Sequence, residues 1–252
     1  LDILMNPEIK DLFEKKTKFW NATRAFLRKE NFLEVETPTL EITTGGAEAR
    51  PFKTHHNDYD LDVYLRISVG ELWQKRLLAA GFPRIFEIGR VYRNEGSSPE
   101  HTQEFTGLEF YAGYMDYKQG MEFTEKMIKE VAQDKKISVI PFSRLTYAEA
   151  IAQYGTDKPD LRKNKNDPDE LAFSWTVDFP LFTEQSKEDF YHGTGMAKFA
   201  PSHHMFTAPH PDDVELLDSD PTRVRGLQHD LVLNGYEVGG GSIRIHKREV
   251  QE

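Results

Sequence analysis

The chain has 252 residues, of which 38% are hydrophobic and 12% aromatic, the composition of a globular protein rather than a disordered or fibrous one. The absence of cysteine excludes a disulfide framework and a thiolate metal site. The sequence has no apolar run near the ~20 residues of a membrane span and no signal-peptide pattern, so we expect a cytoplasmic protein with no membrane partner. The net charge is −10, and the Lys and Arg residues are interleaved with Asp and Glu, so the sequence shows no basic face for holding a nucleic acid.

The first third of the chain predicts two helices with two strands between them. Apolar residues recur at helical spacing after Asn6, which can cap a helix, and Pro7, which suits its first position. The sequence then alternates until it meets Pro38, as in a short strand, and Gly45-Gly46 indicates a flexible loop. The predicted elements are a helix at 6–30, a strand at 32–38, a strand at 61–67 and a helix at 70–80.

The rest of the chain predicts antiparallel strands and two more helices. Two strand-like runs, 84–92 and 104–111, are separated by a turn-rich stretch, which is typical of a hairpin with a long loop. Residues 155–170 are dense in Gly, Asp, Lys, Asn and Pro, as in a linker. The remaining predicted elements are a helix at 116–134, a buried run at 173–182, a helix near 212–228 and a final hairpin around Gly239-Gly240-Gly241.

The clearest chemical pattern is the stretch 86–95 (FEIGRVYRNE), followed by 103–110 (QEFTGLEF). On a strand, Arg93 and Glu95 would project to the same face. A guanidinium can grip a phosphate or a carboxylate with two hydrogen bonds, and the neighbouring acid can orient it or accept from an amine. An isolated pair of this kind is usually a surface ion pair, so the interpretation depends on the longer context.

That longer context resembles the class II aminoacyl-tRNA synthetases of the Asp/Asn/Lys group. Residues 86–110 are similar to motif 2 of this family, and the segment 6–38 resembles motif 1, which forms the homodimer interface. The segment 44–117 is especially similar to lysyl-tRNA synthetase. The second half resembles bacterial-type aspartyl-tRNA synthetase in the runs 154–162 (YGTDKPDLR), 177–182 (VDFPLF), 203–207 (HHMFT) and 230–246 (DLVLNGYEVGGGSIRIH).

The resemblance implies an α+β fold, in which an antiparallel sheet of about six strands is flanked by helices, and a homodimer. It implies that Arg93, with Glu95 beside it, binds ATP and the reacting carboxylate and stabilises the charge that builds during the attack. It also implies that Phe105 stacks on adenine and that Glu237 lies near ATP and its Mg²⁺, a metal that prefers one or two carboxylates plus phosphate oxygens.

The resemblance further implies an amino-acid pocket. Its implied contacts are Glu48, Glu71 and Glu109 for the substrate α-ammonium, Gln74, His203 and His204 beside the amino acid, and Arg244 for the substrate side chain. In aspartyl enzymes the arginine of the GGGS-x-R run pairs with the side-chain carboxylate, whereas a lysine pocket would want an acid there. A bare His-His pair is otherwise a loop pair or half a metal site, and in this pocket one histidine could sense or balance charge.

The sequence departs from the family pattern in two respects. Gln74 stands where aspartyl enzymes carry a lysine that also grips the carboxylate, and Lys75 follows about 100° further round the helix, so asparagine specificity or a relaxed pocket stays open. The chain contains neither motif 3 nor the anticodon-binding domain, and the large insertion is reduced to 163–172. We therefore take 1–252 as one catalytic core.

The expected reaction is activation of aspartate with ATP to aspartyl-adenylate, followed by transfer to tRNA-Asp. Arg93, Arg244 and Mg²⁺ would act by positioning and charge stabilisation. One alternative is a catalytically impaired, synthetase-like binding or regulatory protein, which the missing motif 3 favours. Others are a synthetase with asparagine or lysine specificity and a related ligase that makes a free amino acid or modifies a protein.

Overall fold

The computed structural model describes residues 2–47, 49–96, 98, 101–132, 135–184 and 198–251. The α-helices in these ranges are α1 (Asp2–Met5), α2 (Pro7–Lys29), α3 (Glu71–Ala79), α4 (Tyr117–Val131), α5 (Tyr147–Tyr154) and α6 (Arg248–Gln251). The strands are β1 (Leu33–Glu34), β2 (Leu40–Glu41), β3 (Lys53–His56), β4 (Leu61–Leu65), β5 (Arg84–Tyr92), β6 (Glu104–Ala112), β7 (Lys136–Ile137), β8 (Ser143–Thr146), β9 (Glu170–Leu171), β10 (Phe173–Val177), β11 (Phe182–Glu184), β12 (Phe199–Pro201), β13 (Gln228–Leu233) and β14 (Tyr236–Ser242).

Two sheets carry most of the pairing among these strands. One has the order β1-β5-β6, with β5 and β6 antiparallel over nine residue pairs, and the other has the order β14-β13-β10-β8. Smaller sheets are formed by β2-β4-β3, β7-β9 and β11-β12. Because β1 pairs parallel to β5 and β8 parallel to β10, the sheets are mixed rather than wholly antiparallel.

Helix α4 packs its apolar side chains into two buried clusters. Its Phe123 joins Phe26, Leu27, Phe32 and Phe86, which fill the space between α2 and the β5–β6 hairpin. Its Met121 joins a second cluster over β10 and β13, formed with Phe142, Phe173, Trp175 and Leu231. The helix starts at a capping box, in which the Asp116 carboxylate accepts from the Gln119 amide and the Gln119 side chain accepts in return. One helix therefore holds both large sheets in place.

The α+β class and most of the predicted elements are confirmed. The helix at 6–30 spans Pro7–Lys29, although the Asn6 side chain makes no capping hydrogen bond. The hairpin 84–92 and 104–111, the helix at 70–80 and the helix at 116–134 lie within two or three residues of their predicted bounds. The strand at 32–38 is shorter than predicted, and in the part of the chain described here the strands form separate three- and four-stranded sheets instead of one sheet of about six.

In the C-terminal third one prediction is wrong and another is confirmed only in part. In place of a helix at 212–228 there are two short 3₁₀ helices, Pro211–Leu216 and Pro221–Arg223. A proline has no backbone N–H to donate to a helical hydrogen bond. In addition, the Asp213 carboxylate accepts hydrogen bonds from the Arg225 backbone amide and guanidinium. The final hairpin exists, but it turns at Asn234-Gly235, both at positive φ, so Gly239-Gly240-Gly241 lie inside β14. No helix in the described ranges combines the length and apolar character that a bilayer crossing requires.

Candidate active site

A buried four-residue segment, Arg66–Val69, follows β4 and organises the cleft beside the β5–β6 hairpin. The Ile67 carbonyl accepts from Arg93 Nε at 3.3 Å, and the Val69 amide donates to Glu109 Oε1 at 2.7 Å. Ser68 Oγ donates to the Gly45 carbonyl at 2.8 Å, which ties the glycine-rich loop to the same segment. All four residues are at most 4% exposed. The segment therefore fixes an arginine, a glutamate and a loop around one space.

A buried ion pair between Arg66 and Glu87 holds this segment in place. Arg66 Nη1 lies 2.6 Å from Glu87 Oε1, and both side chains are about 95% buried. Thr37 donates its amide and its hydroxyl to the second oxygen of Glu87. A Cβ on Gly89 would lie 2.0 Å from the Arg66 guanidinium, so a glycine is needed there for the arginine to cross the strand. Because both charged groups are hydrogen-bonded, the ion pair fixes the position of Arg66 but adds little to the free energy of unfolding.

Arg93 and Phe105 form one group of candidate site residues. Arg93 follows directly after β5, and its guanidinium carbon lies 5.4 Å from the centre of the Phe105 ring on β6. Glu95 is exposed, and its carboxylate accepts from the Arg50 amide at 3.2 Å. Its carboxylate therefore holds the backbone before β3, and its predicted role at ATP stays a prediction.

Arg244 and Glu71 form a second group of candidate site residues. Arg244 Nη2 lies 3.3 Å from Glu71 Oε1 and 3.5 Å from the Tyr111 hydroxyl, while Nη1 donates to Ser242 Oγ at 2.7 Å. Tyr111 in turn donates to Glu109 at 3.2 Å. The structure thus brings together three residues that the sequence placed in the amino-acid pocket, Glu71, Glu109 and Arg244. Opposite charges lie side by side there, an arrangement that suits a zwitterionic ligand.

Helix α3 supplies a cation that the sequence analysis did not assign. Gln74, the predicted contact, is fully buried, and its Nε2 donates to the Val69 carbonyl at 2.6 Å. Lys75 instead extends to Glu71 Oε1 at 2.8 Å, and its ammonium lies 3.7 Å from the centre of the Phe206 ring. Burial lowers the pKa of Lys75 despite the Glu71 partner. The i, i+4 spacing of Glu71 and Lys75 is the signal that could have pointed to Lys75.

Glu109 has an environment that holds its proton more tightly than usual. Burial raises the pKa of Glu109 to about 7, and the nearby Glu71 charge adds to this, while the hydrogen bonds from Val69 and Tyr111 act in the opposite direction. A group that changes charge near neutral pH can match a neutral or a cationic ligand group. Glu109 could therefore contact either kind of group.

The histidine pair lies beside Arg244, in an environment that disfavours its charged form. Burial, followed by the Arg244 charge, lowers the pKa of His204 to about 2 and lowers that of His203 as well. His204 Nδ1 accepts from the Phe206 amide at 3.1 Å, and Nε2 lies 3.3 Å from Ser242 Oγ. The two histidines are accordingly neutral, and they contribute polar ring nitrogens rather than a balancing charge.

A carboxylate pair on the β13–β14 hairpin fits a hydrated divalent cation. Asp230 is 8% exposed, its Oδ1 has no hydrogen-bond partner among the described residues, and burial followed by the Glu237 charge raises its pKa to about 7. Gly240 pairs with Asp230 and leaves the space in front of that oxygen open, since a Cβ there would lie 2.9 Å away. One or two carboxylates with room for phosphate oxygens is the donor set Mg²⁺ prefers. Within the described ranges no group of three acids, histidines or cysteines forms a closed metal cage.

Asp230 was not assigned from the sequence, whereas Glu237 was. The two acids flank the Asn234-Gly235 turn, and this spacing across a tight hairpin is the signal that could have found the pair. Glu48, predicted at the substrate ammonium, lies outside the described residues.

The buried Glu41 beside this cleft makes the stability of the protein pH-dependent. Burial raises the pKa of Glu41 from its ordinary value of 4.5 to about 7, opposed by Arg66 and assisted by Glu109. The native state therefore keeps a proton at Glu41 that the unfolded chain has lost, so the contribution of Glu41 to the free energy of unfolding falls as pH rises from about 4.5 through 7. We expect Glu41→Gln to flatten this decline and to raise the free energy of unfolding at pH 8 by about 1–3 kcal/mol. Urea unfolding at pH 5 to 8 measures this.

Glu36→Gln is the matched control for Glu41→Gln, because Glu36 is exposed and lies five residues away. It should leave the pH dependence as it is. Equal slopes for the wild type and Glu41→Gln would show that Glu41 has the same pKa in the folded protein as in the unfolded chain.

Comparison with known proteins identifies the family. The sequence model described as tRNA synthetases class II (D, K and N) matches residues 1–252. The chain belongs to this family. The mixed α+β fold is that of a class II synthetase core.

The similar curated relatives are named lysine--tRNA ligases. The chain is 44% identical to the one from Burkholderia vietnamiensis and 34% identical to the one from Burkholderia cenocepacia over 281 aligned residues, which cover all of the chain and 53% of each relative. It is 44% identical to that of Magnetococcus marinus over 167 residues, or 61% of the chain and 33% of the relative. The chain thus spans about half the length of these relatives. Their names support the lysine alternative and give no support to aspartate.

Proposed function

We propose that this class II synthetase chain activates an amino acid with ATP, forming an aminoacyl-adenylate and pyrophosphate, and passes the aminoacyl group to tRNA. The carrying observation is that both groups of site residues connect to one buried segment, 66–69. Arg93, beside Phe105, bonds to it directly, and Arg244, beside Glu71, reaches it through Tyr111 and Glu109. An aromatic face beside a guanidinium suits a nucleotide, and a mixed-charge pocket suits an amino acid. The cleft would then hold the two reactants end to end.

The chemistry we propose needs no protein nucleophile. A carboxylate oxygen of the amino acid attacks the α-phosphorus of ATP, the bond to the β-phosphate oxygen breaks, and pyrophosphate leaves with the electron pair. Arg93 would compensate the charge on the α-phosphate, and Glu71 and Glu109 would orient the α-ammonium. Asp230 and Glu237 would hold Mg²⁺, which when bound supplies further charge compensation for the phosphates.

We propose that the preferred amino acid carries a side-chain carboxylate, aspartate first. Arg244 is the supporting observation: its guanidinium faces the pocket, and Lys75 places a second cation within 2.8 Å of the same Glu71. A lysine ε-ammonium directed at Arg244 would meet a like charge, which costs affinity. Asparagine has no side-chain charge with which Arg244 could form an ion pair.

Lysine is the second candidate, and specific observations favour it. The similar relatives are named for lysine, and the two acids Glu71 and Glu109 could accept from two ammonium groups if Arg244 turned away. The decision between the candidates therefore depends on which charge the pocket selects.

Amino-acid-dependent exchange of labelled pyrophosphate into ATP tests both proposals, with aspartate, asparagine and lysine compared side by side. Exchange with aspartate at a kcat/KM at least about tenfold above the others supports the proposal, since tenfold is the difference made by about 1.4 kcal/mol. Exchange with lysine alone keeps the reaction and overturns the substrate. No exchange with any amino acid, from a folded protein, would favour the binding or regulatory alternative. Charging of tRNA-Asp and tRNA-Lys transcripts then tests the transfer step.

We further propose a homodimer formed through the segment 6–38. Helix α2 leaves Leu12, Phe13 and Phe19 between 50% and 64% exposed, and Ile3, Leu4 and Met5 before it are also exposed. An apolar stripe of this size on one helix face suits burial against a second copy of the chain. The resemblance of this segment to motif 1 supports the same assembly.

Leu12→Glu should dissociate the proposed homodimer, because it places a charge within the apolar stripe. We expect the apparent dimer dissociation constant to rise by about tenfold or more, measured by sedimentation velocity over a range of concentrations. Lys18→Glu puts the same side chain on the opposite, exposed face of α2 and should leave the association unchanged. Equal association of the wild type and Leu12→Glu would place the interface elsewhere.

A further inference from the structure

Lys158 belongs to a loop that none of the contacts described so far uses. The loop follows α5 and is fixed against the second large sheet, since the buried Thr176 on β10 donates its hydroxyl to the Asp157 carbonyl at 2.7 Å. On its other side the loop runs beside the β13–β14 turn, where a Cβ on Gly235 would lie 3.9 Å from the Lys158 carbonyl. The backbone around Lys158 is therefore held next to β14.

The ammonium of Lys158 is directed at the carboxylate pair. Lys158 Nζ lies 2.8 Å from Glu237 Oε2, and both side chains are about 40% exposed. Partial burial lowers the pKa of Lys158, but the hydrogen bond to Glu237 and the charges of Glu237, Asp157 and Asp230 outweigh this and raise it above its ordinary value. Lys158 therefore stays charged.

The charges around Asp230 show what this ammonium does. Asp230 has a buried oxygen with no hydrogen-bond partner among the described residues, and the neighbouring Glu237 and Asp157 disfavour its charged form. Lys158 is the cation whose charge offsets them. A carboxylate pair that is to receive a divalent cation repels itself when empty, and one protein ammonium reduces that repulsion.

We propose that Lys158 is a built-in counter-ion of the Asp230–Glu237 pair, which a divalent cation must displace from Glu237 in order to bind. The ammonium and the metal compete for the same carboxylate, so the empty protein binds a divalent cation weakly until a nucleotide brings further phosphate oxygens. This inference rests on the proposed role of Asp230 and Glu237 as the metal-binding pair.

Titration of the nucleotide-free protein with Mn²⁺, followed by electron paramagnetic resonance of the free ion, tests the competition without any catalytic readout. We expect Lys158→Met to bind Mn²⁺ about fivefold more tightly than the wild type, the size of effect expected for one partly exposed ion pair. Lys158→Arg keeps the charge and should bind as weakly as the wild type. Lys163→Met removes the same charge from an exposed side chain of the same loop and should change the affinity by less than about twofold, because exposed charges are strongly screened.

Glu237→Gln separates failure of this inference from failure of the proposed function. If Glu237→Gln weakens Mn²⁺ binding while Lys158→Met matches the wild type, the counter-ion role is overturned and the metal-binding pair stands. If Glu237→Gln leaves Mn²⁺ binding unchanged, the pair is not the metal site, and the proposed metal role fails together with the counter-ion role. Unchanged thermal melting of the variants shows that each one is folded.

Discussion

Arg244→Met should lower the kcat/KM for aspartate-dependent pyrophosphate exchange by about 10²–10³-fold, because truncating one partner of a desolvated charge pair commonly has an effect of this size. The substitution keeps an unbranched side chain of similar length and removes only the charge and the hydrogen-bond donors. It also leaves Glu71 with Lys75 as its remaining cation. Initial rates over a range of aspartate concentrations measure the effect, which should appear mainly in KM if Arg244 binds the ground state and the transition state equally.

Two further variants complete the Arg244 experiment. Arg244→Lys keeps the charge without the planar fork and should recover part of the lost kcat/KM. Arg223→Met removes an arginine from an exposed 3₁₀ helix and should leave exchange at the wild-type rate. If lysine is the true substrate, Arg244→Met should maintain or raise lysine-dependent exchange, and that outcome would reverse the specificity we propose.

Arg93→Gln should reduce kcat for exchange with any accepted amino acid by about 10²–10³-fold, since removing one preorganised donor to a developing charge has an effect of this order. Arg93 is held by the Ile67 carbonyl and lies beside the Phe105 ring, so its guanidinium is positioned before the reactants arrive. Unlike Arg244→Met, this variant should not change the ranking of amino acids. Single-turnover formation of the adenylate measures the chemical step directly.

Arg90→Gln is the matched control for Arg93. Arg90 lies on β5, three residues before Arg93, with its side chain 55% exposed and 3.5 Å from Glu104. Its loss should change kcat by less than about twofold, because exposed ion pairs contribute little. Comparable losses in Arg93→Gln and Arg90→Gln would mean that the strand is disturbed and that Arg93 has no special role at the phosphate.

Much of the fold could be predicted because its signals are local. Helical spacing from Pro7 and alternation on both sides of the turn-rich stretch 93–103 identify α2 and the β5–β6 hairpin without knowledge of distant contacts. The helix predicted near 212–228 is absent because Pro211 and Pro221 each begin a short 3₁₀ helix instead. The division of the strands into separate sheets could not be predicted, because pairings such as β10 with β13 join segments about fifty residues apart.

The candidate site was predictable in part for the same reason. Arg93, Phe105 and Arg244 occur in long runs that resemble a family, so they could be assigned residue by residue. The choice between Gln74 and Lys75 depends instead on how α3 is rotated, which burial of Gln74 against Val69 decides. Asp230 required knowledge of the β13–β14 register, which places it opposite Gly240. Rotation and register are properties of packing rather than of any short stretch of sequence.

The buried segment 66–69 has a consequence for the thermodynamics of ligand binding. Its contacts to Arg93, Glu109 and the Gly45 loop exist in the ligand-free chain, so little backbone remains to be ordered when reactants arrive. Association should then lose little conformational entropy at this segment, and affinity is not reduced by local folding. The Val69 amide, bonded to Glu109 and buried, should exchange slowly with deuterium in both the free and the bound protein, as a preorganised site requires.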